Sequence, residues 1–354
     1  MKSRIEKLRE KLGTLGVDGI YLTSGTSHRY FTKLDNGDGS LLITGKSAYA
    51  FEDFRYIEVA NELLSDIYTV VEPKGKRNGW LGDILKAEGI DRLGFEDESL
   101  SVSAYESLKA DVDALLCPIG DTVCVMRQVK DEWEIEQIQR AQEITDRAFA
   151  HILGVISTDI TENDVAAELE YFMRKNGAED KSFETISING KKTSLPHGVP
   201  GNERLQNGFL TMDFGATVNG YHSDMTRTVC IGKADCEMKK LYNTVLEAQL
   251  SALEYLSNGG KNSKEADKVA RDIIYKDYEG YFGHSLGHSV GLVIHERPAL
   301  SPVNESILVP GNVVTVEPGI YIPGKYGTRI EDLVVIRQNG ITNLTKSPKE
   351  LIEI

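Results

Sequence analysis

Apolar positions in the first 120 residues switch between helical and extended spacing. Ile5, Leu8, Leu12 and Leu15 recur at the interval of one helix face, and the apolar run 19–23 behind them is short enough to be a strand. Further strands are predicted at 41–43, 68–71 and 93–95, with helices between them at 56–64 and 81–87. This alternation describes a small α/β domain with a mixed sheet. From about Asp131, the stripe Ile135, Ile138, Ala141, Ile144, Ala148 and Ile152 predicts one long amphipathic helix. A domain boundary just before it divides the chain into 1–124 and 125–354. A second helix begins at Thr161, whose hydroxyl can cap the free amides while Asp164 reaches back. Beyond residue 180 the pattern changes. Extended runs at 183–188, 209–218 and 221–231 precede helices near 236–257 and 264–277, and strands follow at 312–322 and 328–337. The second domain is therefore α+β with antiparallel strands.

Length and charge narrow the function. The 354 residues suit two domains, and 40 basic against 54 acidic side chains leave a net charge of −14. That balance argues against a protein that neutralises nucleic-acid phosphates, so no nucleic-acid partner is expected. No apolar run reaches the roughly 18 residues of a membrane span. The first residues, Met1 to Lys7, read as the start of a charged helix, which points to the cytoplasm and to no membrane partner. Cys117, Cys124, Cys230 and Cys236 form no Cys-x-x-Cys pair and are expected to be reduced and structural.

Two acid-bearing hairpins carry the candidate chemistry. Asp213 and Asp224 flank an Asn219-Gly220 turn signal, with a midpoint of 218.5 that predicts near-opposite neighbours on one face. Carboxylates roughly 5 Å apart repel, and must share either a proton or a cation. Glu317 and Glu331 repeat the arrangement around Gly324. Both pairs sit in apolar strand sequence, where an unpaired carboxylate is costly to bury, and that raises the case for a metal.

Three of the seven histidines, His284, His288 and His295, lie within twelve residues of glycine-rich chain, which is not simply one face of a long helix. His295-Glu296 is not a zincin motif, because residue 299 is Ala299 and Pro298 would break the required helix. Asp213-Phe214-Gly215 is not a kinase motif, since no His-Arg-Asp loop or glycine-rich phosphate loop precedes it. His197 stands in the turn-rich stretch 195–200, and means little alone. Strand parity leaves the role of His222 open.

Taken in order, Pro196-His197-Gly198, Asp213, Asp224, His288, His295-Glu296, Glu317 and Arg329-Ile330-Glu331 resemble the signature of the pita-bread metallopeptidases, the family of aminopeptidase P, prolidase and methionine aminopeptidase. The resemblance spans roughly residues 130–354, and the first 120 residues are similar in pattern to the smaller domain of the Xaa-Pro branch. It implies an α+β pita-bread catalytic domain behind a smaller N-terminal α/β domain. It further implies five metal ligands, Asp213, Asp224, His288, Glu317 and Glu331, with Asp224 and Glu331 bridging two divalent ions. An oxygen-rich set suits Mn²⁺ or Co²⁺, with Zn²⁺ also admissible. By the same resemblance a metal-bridging hydroxide is the nucleophile, Glu317 the general base, and His197 and His295 hydrogen-bond the substrate or its tetrahedral intermediate. His284 lines the substrate pocket, and Arg329 orients Glu331 or Asp224.

The activity so implied is hydrolysis of the Xaa-Pro bond at the N-terminus of dipeptides or short peptides, by a homodimer. Methionine aminopeptidase-like activity and a non-catalytic peptide-binding module on the same fold are the alternatives. Creatinase shares the two-domain fold but lacks the acid set.

Overall fold

The computed structural model describes residues 1–34, 38–74 and 79–354. They form two compact units, Met1–Met126 and Arg127–Ile354. In the first, helix α1 (Lys2–Leu15) buries Ile5, Leu8 and Leu12 and closes at Gly16 with φ +66°. Strands β1 (Gly19–Leu22), β2 (Ser40–Thr44), β3 (Ala48–Phe51), β4 (Thr69–Val71), β5 (Arg92–Phe95) and β6 (Leu115–Pro118) make one mixed sheet in the order β4-β3-β2-β1-β5-β6. β1 runs parallel to β5 and antiparallel to β2. Helices α2 (Gly25–Thr32), α3 (Ile57–Leu64), α4 (Gly79–Glu88) and α5 (Val102–Asp111) connect them. Neither α2 nor α5 is among the elements expected from the apolar pattern. The eight residues of α2 include Gly25, Thr26, Ser27 and Thr32, all poor helix formers, and the helix buries Tyr30 and Phe31.

Helix α6 (Thr122–Gln128) carries the chain into the second unit, whose helices are α7 (Glu132–Ile152), α8 (Glu162–Lys175), α9 (Cys236–Ser257) and α10 (Ser263–Tyr278). Capping boxes open α7 (Asp131 with Glu134) and α8 (Thr161 with Asp164). The strands are β7 (Asp180–Lys181), β8 (Ile186–Asn189), β9 (Gly208–Phe214), β10 (Ala216–Val218), β11 (Tyr221–His222), β12 (Met225–Ile231), β13 (Gly287–Ser289), β14 (Glu296–Leu300), β15 (Val313–Val316), β16 (Gly319–Ile322), β17 (Tyr326–Arg329), β18 (Asp332–Arg337) and β19 (Gly340–Asn343). Only the second half of the extended run at 183–188 becomes strand.

Period-two alternation separates core from site. Leu210, Met212 and Phe214 of β9, with Met225 and Val229 of β12, pack on Ile144, Ala148, Val165 and Leu169 of α7 and α8. Asp213 and Thr226 stand at intervening positions of the same ladder. In the other half, Val314, Val316, Val334 and Ile336 pack against α9 and α10. Two helix pairs thus cover antiparallel strands whose polar positions face inward, the α+β pita-bread arrangement. Arg227, which is 1% exposed, spends its guanidinium on the carbonyls of Thr226, Glu331, Ser347 and Pro348 and on the Asp332 carboxylate. Beyond it, Cys230 exchanges backbone hydrogen bonds with Ile352 and Ile354, so residues 347–354 lie along β12. Among the described residues no helix is long and apolar enough to cross a membrane, and all four cysteines are free thiols.

Candidate metal centre and active site

The first acid hairpin turns at Asn219 and Gly220, both left-handed at φ +48° and +77°, the conformation of a two-residue type I′ turn. That turn pairs Val218 with Tyr221 and, further along the same register, Asp213 with Thr226. Asp224 is therefore not the near-opposite neighbour expected for Asp213. The turn centres on the Asn219–Gly220 bond, one position beyond the midpoint of the two acids, and Asp224 falls two residues along from Thr226 in the break between β11 and β12. A displacement of two keeps the parity, so both carboxylates still share a face. The break depends on Gly215, where a Cβ would stand 2.0 Å from the Ser223 carbonyl oxygen.

The second hairpin follows the register centred on Gly324. Val316 pairs with Asp332 and Gly319 with Arg329, leaving Glu317 and Glu331 opposite each other where the ladder is interrupted. The backbone amide of Glu317 donates to the Leu286 carbonyl (2.8 Å), and that of Glu331 to the Thr226 carbonyl (3.1 Å). The second bond joins the two hairpins. Side chains brace the same junction: Arg329 Nε donates to Thr226 Oγ1 (2.9 Å), which donates to Glu331 Oε2 (2.7 Å). Arg329 also bonds Asp213 Oδ2 directly at 2.6 Å. Arg329, expected to orient Glu331 or Asp224, thus reaches Glu331 only through Thr226, which stands opposite Asp213, and takes Asp213 as its direct carboxylate partner.

His288 enters from β13. Its Nδ1 is 3.2 Å from the Ser289 carbonyl, which can only accept, so that nitrogen carries the proton and the bare Nε2 faces Asp224 (3.5 Å) and Glu317 (3.4 Å). Thr315 Oγ1 accepts from the His288 amide and donates to Glu317 Oε1. The Nε2 of His288 and the oxygens of two acids thus converge within 3.5 Å. Burial holds the three acids Asp224, Glu317 and Glu331 above their ordinary pKa, Glu317 at about 7, with Asp213 and their own mutual repulsion acting in the same direction against the relief from Arg329. Burial also lowers His288. Asp213 Oδ1 and Glu331 Oε1 are buried with no hydrogen-bond partner among the described residues. Such a cluster is repulsive without a cation and coherent with one, and ligand atoms of Asp224, His288 and Glu331 lie within 4.8 Å of one another.

These groups line a cavity of about 460 Å³ together with His197, His284, His295, Arg329, Phe183, Ile186, Ile294 and Ala299. His197 and His295 are exposed and make no hydrogen bond among the described residues. The His295 ring packs edge-on against His288 at 4.5 Å, and burial followed by the His288 charge lowers its pKa. His284 is different. Its Nδ1 lies 2.8 Å from the Ser285 carbonyl and its Nε2 3.0 Å from the Tyr321 hydroxyl, which in turn accepts from Arg329 at 2.7 Å. Burial, then the Arg329 charge, drives His284 down to about 3, so it is a neutral wall with both nitrogens engaged. His222 sits by the Thr217 hydroxyl (3.3 Å) and is not part of the wall.

The apolar and charge pattern does not reveal the groups that brace the centre. Thr226 could be found from the hairpin register once the turn is centred on Asn219-Gly220. Lys130 could not: its buried Nζ donates to Ser289 Oγ (2.9 Å) and Glu296 Oε2 (3.0 Å) across some 160 residues, beside an Arg127–Glu296 ion pair of 2.5 Å.

Comparisons with known proteins agree with this architecture. Residues 136–338 match the model of metallopeptidase family M24, and residues 4–129 match the creatinase/prolidase N-terminal domain. The chain is 43% identical to the uncharacterized peptidase YqhT of Bacillus subtilis over 99% of both proteins. A solved Xaa-Pro dipeptidase from Bacillus anthracis superposes with a TM-score of 0.96 at 42% identity, covering 100% of this chain and 99% of that one. An X-Pro aminopeptidase from Thermotoga maritima MSB8 superposes at 0.92 with 37% identity, over 99% and 100%. With an acid-lined centre, two matched domains and full-length relatives, the chain belongs to metallopeptidase family M24.

Proposed function

We propose that this protein is an exopeptidase that hydrolyses the Xaa-Pro bond at the N-terminus of dipeptides or short peptides. The observation that carries the reading is the convergence of Asp213, Asp224, His288, Glu317 and Glu331 on one face of a cavity large enough for a dipeptide-sized ligand. The names of the Bacillus anthracis and Thermotoga maritima relatives support the substrate class. In this reading the five residues hold two divalent cations, Mn²⁺ or Co²⁺ by the hardness of the donor set, which would polarise the scissile carbonyl and activate water.

The chain's own groups do the rest. Glu317 takes a proton from the attacking water and returns it to the departing proline nitrogen as the C–N bond breaks. His295 and His197, without a hydrogen bond among the described residues, donate hydrogen bonds to the oxygen that gains charge. Arg329 fixes Asp213 directly and Glu331 through Thr226. Phe183, Ile186, Ile294 and Ala299 supply apolar walls for a pyrrolidine ring, which brings no amide hydrogen to satisfy.

The test is a substrate panel on the Mn²⁺-loaded enzyme: Ala-Pro, Ala-Pro-Ala, Ala-Ala and a Met-Ala peptide. The proline substrates should be cleaved at the first bond with kcat/KM at least about tenfold above Ala-Ala, since alanine leaves a donor unpaired and space unfilled. Equal efficiency on Ala-Ala and Ala-Pro removes the proline specificity. Fastest cleavage of Met-Ala moves the protein to the methionine aminopeptidase branch, and no cleavage of any peptide leaves a binding module.

A further inference from the structure

We infer that Glu162, about 35 residues before His197 and outside the cavity wall, is a positioning residue that acts on the reaction by setting the loop that presents His197. The inference rests on the peptidase reading above. Glu162 is the first residue of α8 and is only 3% exposed. Its Oε1 accepts from the Asn189 amide (2.7 Å), and its Oε2 accepts from the Gly201 amide (2.9 Å) and from Lys192 Nζ (2.6 Å). One buried carboxylate therefore clamps both limbs of the segment between Asn189 and Gly201, at whose outer part His197 stands. The backbone of α8's first turn reinforces the clamp, since Glu162 and Asn163 donate to the carbonyls of Glu203 and Gly201. Asn189 Oδ1 accepts from the Gln206 amide (2.6 Å), closing the loop at its base.

Toward the cavity the same segment packs on the second hairpin, where a Cβ on Gly327 would stand 2.5 Å from the Thr193 carbonyl oxygen. Thr193 Oγ1 accepts from the Gly327 amide (3.0 Å) and the Pro196 carbonyl from Arg329 (3.4 Å). The His197 ring makes no hydrogen bond among the described residues, so the backbone that carries it has a large part in aiming it. A buried carboxylate satisfied by two amides and an ammonium is costly to disturb. In Glu162→Gln the amide oxygen can serve one limb, but the –NH₂ group must then face a backbone N–H of the other, donor against donor. The substitution is nearly isosteric and undoes the clamp without emptying the site.

The test is a double-mutant cycle on the metal-loaded enzyme, with Glu162→Gln and Glu162→Ala made in the native protein and in His197→Ala. A displaced catalytic imidazole costs rate steeply, so Glu162→Gln should lower kcat/KM about tenfold in the native background. In His197→Ala the same change should lower it less than about twofold, because the two residues act in series. Bound metal should be unchanged in every variant. Equal losses in both backgrounds, or loss of metal, overturn the inference in favour of a general structural role, as does a His197→Ala variant with native kcat/KM. Amide exchange separates this outcome from failure of the peptidase reading. If the native enzyme cleaves no peptide, faster exchange over 189–201 in Glu162→Gln, with the rest of the chain unchanged, still supports the clamp, and unchanged exchange there sinks it.

Discussion

The two acid hairpins reach the same cavity by different geometry. Around Gly324 the acids face each other squarely, and the ladder on either side keeps one register. Around Asn219-Gly220 they are diagonal, with Asp213 across from Thr226 and Asp224 set in a strand break. What the hairpins share is parity, and the difference teaches that parity is the stricter requirement. A slide of two residues moves a carboxylate along its face, whereas a slide of one would send it into the packing of α7 and α8. The diagonal hairpin gains something in exchange. The position opposite Asp213 is free for Thr226, whose hydroxyl and carbonyl both reach the other hairpin at Glu331.

The largest test of this comparison removes one acid from each hairpin. Asp224→Ala and Glu331→Ala should each reduce turnover to background and lose most bound metal by elemental analysis, because each carboxylate in this reading serves both cations. Two undiminished binding steps in either variant would separate the hairpins into independent sites. Next in size is Thr226→Val, which keeps the shape and deletes the hydroxyl between Arg329 and Glu331. It leaves a buried donor and a buried acceptor unpaired and should cost roughly 1–3 kcal/mol in denaturant unfolding, with reduced activity. A neutral result would mean that the Arg329–Asp213 pair and the backbone join the hairpins without the threonine hydroxyl. Smallest are the turns. Asn219→Ala removes the side chain that tolerates left-handed φ, Gly324→Ala adds a Cβ there, and each should cost about 1 kcal/mol while leaving kcat/KM near native. Asn219→Ala should be the more costly, since Asn219 Nδ2 also donates to Gln137 Oε1 at 2.7 Å.

What was legible in the sequence follows the range of the interaction. The Thr161–Asp164 cap and the Asn219-Gly220 turn are decided within four residues and could be read directly. So could the long stripe of α7, whose apolar positions from Ile135 to Ile152 repeat over about five turns. Short elements such as α2 and β13 carry too few residues for a period, and tertiary packing decides them. In the site, the acids and histidines were visible as residue types in order. Their partners were not, because Lys130 to Ser289, Arg329 to Asp213 and Glu162 to Gly201 are contacts between remote segments that leave no local trace. The near-opposition expected of Asp213 and Asp224 gives way to a diagonal because the turn centres one position beyond the midpoint of the two acids.

The strap of residues 347–354 along β12 imposes an order on biosynthesis. Arg227 lies between Thr226 and Thr228 in the strand that follows Asp224, and its buried guanidinium takes two of its acceptors from Ser347 and Pro348. A ribosome delivers those carbonyls more than a hundred residues after the arginine. Until they emerge, burying Arg227 would strand charged donors without acceptors, and β12 lacks the neighbour that Ile352 and Ile354 provide. The first unit can fold while the second is still being made. The packing around Arg227, in the strand next to Asp224, therefore cannot close until the chain beyond residue 346 is available.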